Sequence, residues 1–68
     1  MDHISGEELR AARVAAGVSV SQLGRSMGVV RQRVHTLEGQ ASVSLTAARR
    51  YLDALVAVAT EDLGEADA

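Results

Sequence analysis

The sequence predicts an all-α domain, a compact set of short helices closed by one long C-terminal helix. Three observations carry that expectation. Apolar residues recur at helical spacing, as in Leu23 and Met27 and again in Val34 and Leu37, rather than with the alternation of a strand. Serines stand just ahead of three of these stretches, where helix caps belong, and glycines follow several of them. Proline is absent, and neither Gly nor Pro interrupts the run between Leu45 and Leu63.

Length and composition bound the rest. A chain of 68 residues makes one domain, and at this size only about 60% of the surface exposed by the unfolded chain is buried. With no cysteine there is no disulfide or thiolate metal site, so helix packing or oligomerisation must supply the remaining stability. No run reaches the roughly 18 apolar residues of a membrane span. The N-terminal MDHISGEEL lacks the basic and apolar regions of a signal peptide. The expectation is a cytoplasmic protein with no membrane partner. All seven basic residues are arginine, and together with much Ala, Val and Gly this suggests a GC-rich coding sequence, hence a bacterial or phage gene expressed in a bacterial host.

Ser5-Gly6-Glu7-Glu8 has the S-x-x-E form of a capping box and opens a first helix from about Gly6 to Ala16, with Gly17 as its left-handed stop. Leu9, Ala12, Arg13 and Ala16 share a face of that helix. An arginine on an apolar side calls for a partner, because an unpaired buried charge costs several kcal/mol. Glu38 is the one acid between residues 10 and 50, and the two are expected to form a structural ion pair. The plainer alternative leaves Arg13 at the edge of the stripe with its head in water.

Ser19-Val20-Ser21-Gln22 repeats the cap signature, and a second helix follows from about Val20 to Met27. Gly24 sits where the second and third helices approach most closely, and Gly28 turns the chain. The third helix covers about Arg31 to Glu38 and stops at Gly39. At about 100° per residue, the direction opposite Val34 and Leu37 is occupied by Gln32, His35 and Thr36, with Arg31 and Arg33 on its flanks. That face suits a polar, anionic partner. GQASVS, residues 39–44, reads as a polar connector in which Ser44 caps the last helix. Leu45, Ala48, Leu52 and Leu55 form its expected core stripe. Leu52, Leu55, Val56, Ala59 and Leu63 extend beyond what one small core can cover and are the expected homodimer interface. The acidic end, residues 64–68, is expected to fray.

The net charge of −2 hides a segregation: residues 1–9 carry −3, residues 10–50 carry +6 and residues 51–68 carry −5. A basic middle between acidic ends is compatible with a local phosphate-binding face. His3 lies in an end expected to be disordered, and His35 lacks the neighbours a metal site needs. No metal, cofactor or catalytic residue is expected, and the chain does not read as an enzyme.

Arg13, the Gly17-Val18 entry, Leu23, Gly24, Met27, Gly28, Val29, Val34, Leu37, Glu38 and Gly39 together resemble the lambda-repressor/Cro-like helix-turn-helix proteins, the XRE family. The resemblance covers roughly Leu9 to Leu55, with the helix-turn-helix itself at about 18–39. It implies a compact four- to five-helix DNA-binding domain whose third helix enters the major groove of double-stranded DNA. Carried over by position, base reading falls on Arg31, Gln32 and Thr36, with His35 as a weaker contributor. The family's backbone-binding places fall on Ser19, Val20 and Arg25, and its buried ion pair on Arg13 and Glu38; the expected phosphate contacts are Ser19, Ser21, Arg25 and Arg33. Three positions depart from the family pattern. Val20 replaces a side chain that often grips phosphate. Val30 stands where a Ser or Thr commonly caps the recognition helix, at a cost of about 1 kcal/mol. Val56 replaces a glycine that ends the fourth helix in many relatives.

The leading functional expectation is a small dimeric repressor, phage Cro-like or controller type. A two-fold axis would set two recognition helices roughly 34 Å apart and demand a near-palindromic operator. The alternative is an antitoxin-like or other protein-interaction module whose C-terminal helix binds a protein partner.

Overall fold

The computed structural model describes the backbone of residues 3–67 and the side chains of residues 4–61. In chain order the elements are β1 (His3–Ile4), α1 (Gly6–Ala15), α2 (Val20–Met27), α3 (Arg31–Glu38), β2 (Val43–Ser44) and α4 (Leu45–Asp67). The chain is therefore mainly helical. Among the described residues no helix is long and apolar enough to cross a membrane.

Local chemistry sets three of the four helix starts. Ser5 Oγ accepts from the Glu8 amide at 3.1 Å, and Ser44 Oγ accepts from the Ala47 amide at 3.2 Å. At α2 the capping box is complete: Ser19 Oγ accepts from the Gln22 amide at 3.0 Å, and Gln22 Oε1 accepts from the Ser19 amide at 2.9 Å. Each bond satisfies a donor that the helix itself cannot pair. Val30 precedes α3 with no side-chain cap. The turn into α3 is made by Gly28 at φ 73°, which a side chain would resist. α3 stops at Gly39 in a right-handed conformation, φ −87°, and the Gly39 amide is shared between the carbonyls of His35 and Thr36.

The core gathers one side from each helix. Leu9, Leu23, Val34, Val43 and Tyr51 are fully buried, and Val18, Leu37, Ala48, Ala54, Leu55 and Val58 complete the cluster. α2 packs on both α3 and α4, and α1 packs on the same two helices. Two glycines set the closest approaches. A Cβ on Gly24 would stand 3.0 Å from the Val29 carbonyl oxygen, and one on Gly6 would overlap the carbonyl groups of Leu37 and Glu38.

The structure departs from the sequence expectations in four places. His3 is not in a disordered end, and residues 39–44 are not wholly a connector: His3 pairs with Ser44 and Ile4 with Val43 in an antiparallel ladder. Burial of Val43 against the helices drives this, and a two-residue ladder is too short to display alternation. The core stripe of α4 is Ala48, Tyr51, Ala54, Leu55 and Val58, whereas Leu45 is exposed. Tyr51 is the largest fully buried side chain, and its insertion fixes which side of α4 faces inward. Leu55 consequently lies in the domain's own core and is withdrawn from the expected homodimer surface, while Leu52 is half-buried against that core. Finally, α4 runs to Asp67, through residues that were expected to fray. A helix already nucleated gains one hydrogen bond per residue added, and passing Gly64 costs only about 1 kcal/mol.

Candidate nucleic-acid interface

The candidate site is the outward side of α2, its turn and α3. Val34 and Leu37 anchor α3 in the core, while Arg31, Gln32, Arg33, His35 and Thr36 are all exposed. α2 is anchored in the same way by Leu23 and Gly24, with Val20 and Met27 partly buried against the core. Ser19, Ser21 and Arg25 are exposed on α2 and at its start. Val20 is thus engaged in packing, which accounts for an apolar residue at that position. The capping box uses the Ser19 and Gln22 amides, leaving those of Val20 and Ser21 directed out of the helix start, where the helix dipole favours an anion.

Arg13–Glu38 is the one ion pair among the described residues, so Arg25, Arg31 and Arg33 reach solvent without an acidic partner. Thr36 Oγ1 donates to the Gln32 carbonyl at 3.0 Å. Its proton is committed, and what Thr36 presents outward is its methyl group and the lone pairs of its hydroxyl.

The C-terminal end of α3 is held by side chains from two helices, α1 and α4. Arg13 Nε donates to Glu38 Oε2 at 2.7 Å and Nη2 to Oε1 at 3.3 Å, a two-pronged pair whose side chains are only 11% and 5% exposed. Arg13 Nη1 donates to the Val18 carbonyl at 2.9 Å, tying the α1–α2 connector into the same cluster. Tyr51 Oη donates to Glu38 Oε2 at 2.5 Å from α4. Among the described residues no buried side-chain nitrogen or oxygen lacks a partner.

Burial works to raise the Glu38 pKa, but the hydrogen bonds from Arg13 and Tyr51 and the Arg13 charge outweigh it and hold the carboxyl below its ordinary value. The Glu38 hydrogen bond raises the Arg13 guanidinium further above neutrality, against the opposing effect of burial. Burial, then the Glu38 hydrogen bond and charge, push the Tyr51 phenol well above its ordinary value. All three groups therefore hold one protonation state across the neutral range.

Comparison with protein-family models, with curated proteins and with solved structures returns no match for this chain. The site accordingly stands on its own geometry.

Of the sequence-selected residues, the structure gathers Arg31, Gln32, Arg33, His35 and Thr36 on α3, with Ser19, Ser21 and Arg25 on the neighbouring helix. It joins Arg13 to Glu38 directly. On α4, Val56 is 64% exposed and Ala59 half-buried; the Leu63 side chain lies outside the described residues. A groove of about 500 Å³ is lined by Ser26, Met27, Val29, Arg50, Asp53, Ala54 and Ala57, without Val56. Sequence reasoning placed Tyr51 in the core or an interface but missed its hydrogen bond to Glu38, although a signal existed. A buried tyrosine hydroxyl needs a partner, and Glu38 was the nearest acid outside α4 itself. It also missed Gly6, whose need for a bare Cα depends on a contact with residues more than thirty positions away.

Proposed function

We propose that this protein is a sequence-specific double-stranded-DNA-binding regulator of the lambda-repressor/Cro-like kind, acting as a small dimeric repressor with α3 in the major groove. The observation that carries the reading is the division of α3. Five consecutive-turn polar side chains are exposed without acidic partners, and the opposite side is sealed into the core by Val34 and Leu37. An α-helix roughly 10–12 Å across matches a major groove about 12 Å wide. The side chains also suit base edges: Arg31 can present a fork to guanine, Gln32 a bidentate amide to adenine, and Thr36 its methyl to thymine. His35 is a weaker contributor. Ser19, Ser21, Arg25 and Arg33 flank this helix and would meet phosphates. The tie from Glu38 to Arg13 and Tyr51 fixes the helix before any partner arrives, so little ordering cost remains for binding.

Selection of binding sites from random duplex, followed by salt titration, tests the proposal. Each phosphate contact steepens log K against log[salt] by about 0.9, so Arg25→Ala should flatten the slope by roughly one unit and weaken all sequences alike. Gln32→Ala should relax one or two positions of the consensus at about 1–3 kcal/mol, with the slope unchanged. Equal affinity for selected and random duplex at every salt concentration would defeat the reading.

A second reading, an antitoxin-like or other protein-interaction module, is favoured by two separate features of α4, the exposed Val56 and the groove it forms with α2. A stoichiometric polypeptide partner in place of DNA retention would select it.

A further inference from the structure

Three of the four helices begin with a serine whose hydroxyl caps the third amide of the helix: Ser5 for α1, Ser19 for α2 and Ser44 for α4. The exception is the helix proposed to read DNA. α3 begins at Val30, which makes no capping hydrogen bond and is 72% exposed, more than any other large apolar side chain among the described residues. The other exposed apolar residues, Val14, Leu45 and Val56, belong to α1 and α4. Val30 alone stands beside Arg31 and Gln32.

Neither packing nor capping accounts for valine at this position. It is mostly out of the core, and the third amide of α3, that of Arg33, is paired with the Val30 carbonyl at 2.9 Å and not with a side chain. Its backbone, at φ −75° and ψ 155°, is the ordinary extended conformation of a cap residue, so a serine would fit without rearrangement. A local rule broken at one helix start and kept at the other three points to a ligand contact. The neighbouring polar side chains would engage hydrogen-bonding base edges, and the one apolar group on a base edge in the major groove is the C5 methyl of a pyrimidine.

Resting on the major-groove reading of α3, we infer that Val30 is a specificity-determining residue that packs against a pyrimidine C5 methyl group next to the bases read by Arg31 and Gln32. Removing either the methyl group or the valine gives up the same buried apolar contact. The two losses must therefore not add.

The test uses the full chain and duplexes that differ by single methyl groups. Thymines of the selected half-site are replaced one at a time by deoxyuridine, and any cytosine in the same positions by 5-methylcytosine, for the wild type and Val30→Ala. Burial of one methyl corresponds to about a 4-fold change in affinity. At one position the wild type should weaken about 4-fold on loss of the thymine methyl, and Val30→Ala by less than about 2-fold. If 5-methylcytosine is the source, methylation should tighten the wild type by a similar factor and leave Val30→Ala unchanged. Val30→Ser gives a second reading: it removes both valine methyl groups and should lose methyl discrimination, while a cooperative thermal melt shows that the domain is still folded. A wild type that selects an operator but shows the same methyl dependence as Val30→Ala overturns this inference alone. A wild type with no preference among duplexes removes the DNA reading and this inference with it.

Discussion

Replacing Gly6 by alanine should unfold this domain more readily, although alanine is the better helix former. A Cβ on Gly6 would stand 2.5 Å from the Glu38 carbonyl oxygen and 2.6 Å from its carbon, far inside the roughly 3.5 Å at which non-bonded heavy atoms rest. Both sides of the contact are main chain, so no side-chain rotation relieves it. The Gly6 amide also donates to the Gln40 carbonyl at 2.8 Å, which pins the helix start against the end of α3. Overpacking of this kind costs about 1–3 kcal/mol, and a backbone-on-backbone clash belongs at the upper end. The propensity gain from Gly to Ala recovers at most about 1 kcal/mol. A net loss of about 2 kcal/mol corresponds to a fall in Tm of roughly 8–16 °C for a domain of this size. Thermal melts followed by circular dichroism measure it directly. Gly39→Ala is the matched control, because its backbone is right-handed and a Cβ there meets nothing nearer than 3.4 Å. It should hold or slightly raise the Tm. A Gly6→Ala protein that melts at or above the wild-type temperature would refute the packing argument.

Removing Arg13 or Glu38 alone should destabilise by about 3–5 kcal/mol, because the survivor is left buried and unpaired. Urea denaturation of the singles and the double should give non-additive losses, and additive ones would mean the two do not act together. Tyr51→Phe should cost about 1.5–3 kcal/mol by removing a hydrogen bond to a charged group, and duplex affinity should fall with it if the end of α3 loosens. Glu38 also sets an acid limb. Its folded pKa lies below the ordinary 4.5, so the unfolded chain binds the proton more readily. The stabilisation is present above that value and lost as pH falls through the folded pKa. Melts from pH 7 to pH 2 should show a decline that Glu38→Gln flattens. Val56→Glu should abolish the proposed dimer and operator binding together. A Val56→Glu protein that sediments as a dimer at micromolar concentration would place the interface elsewhere.

Much of the local structure was legible in the residues themselves. The spans of α2 and α3, the three serine caps and the turn at Gly28 follow from interactions within a few positions, where the chain carries its own instructions. The outward side of α3 was equally readable, because anchoring Val34 and Leu37 dictates where Gln32 and Thr36 point. The Arg13–Glu38 contact could be anticipated because a buried charge needs an opposite partner, and Glu38 is the one acid between residues 10 and 50. What the tertiary structure decided depends on residues far apart in the chain. It rotated α4 so that Tyr51 rather than Leu45 faces inward, which took Leu55 off the expected dimer surface and gave Glu38 a second partner. It joined His3 and Ile4 to Val43 and Ser44, and it made Gly6 indispensable through the end of α3. Helical periodicity marks a stripe without choosing among adjacent stripes of similar apolarity. That choice falls to the shape of the space left by the other helices, which no local pattern encodes.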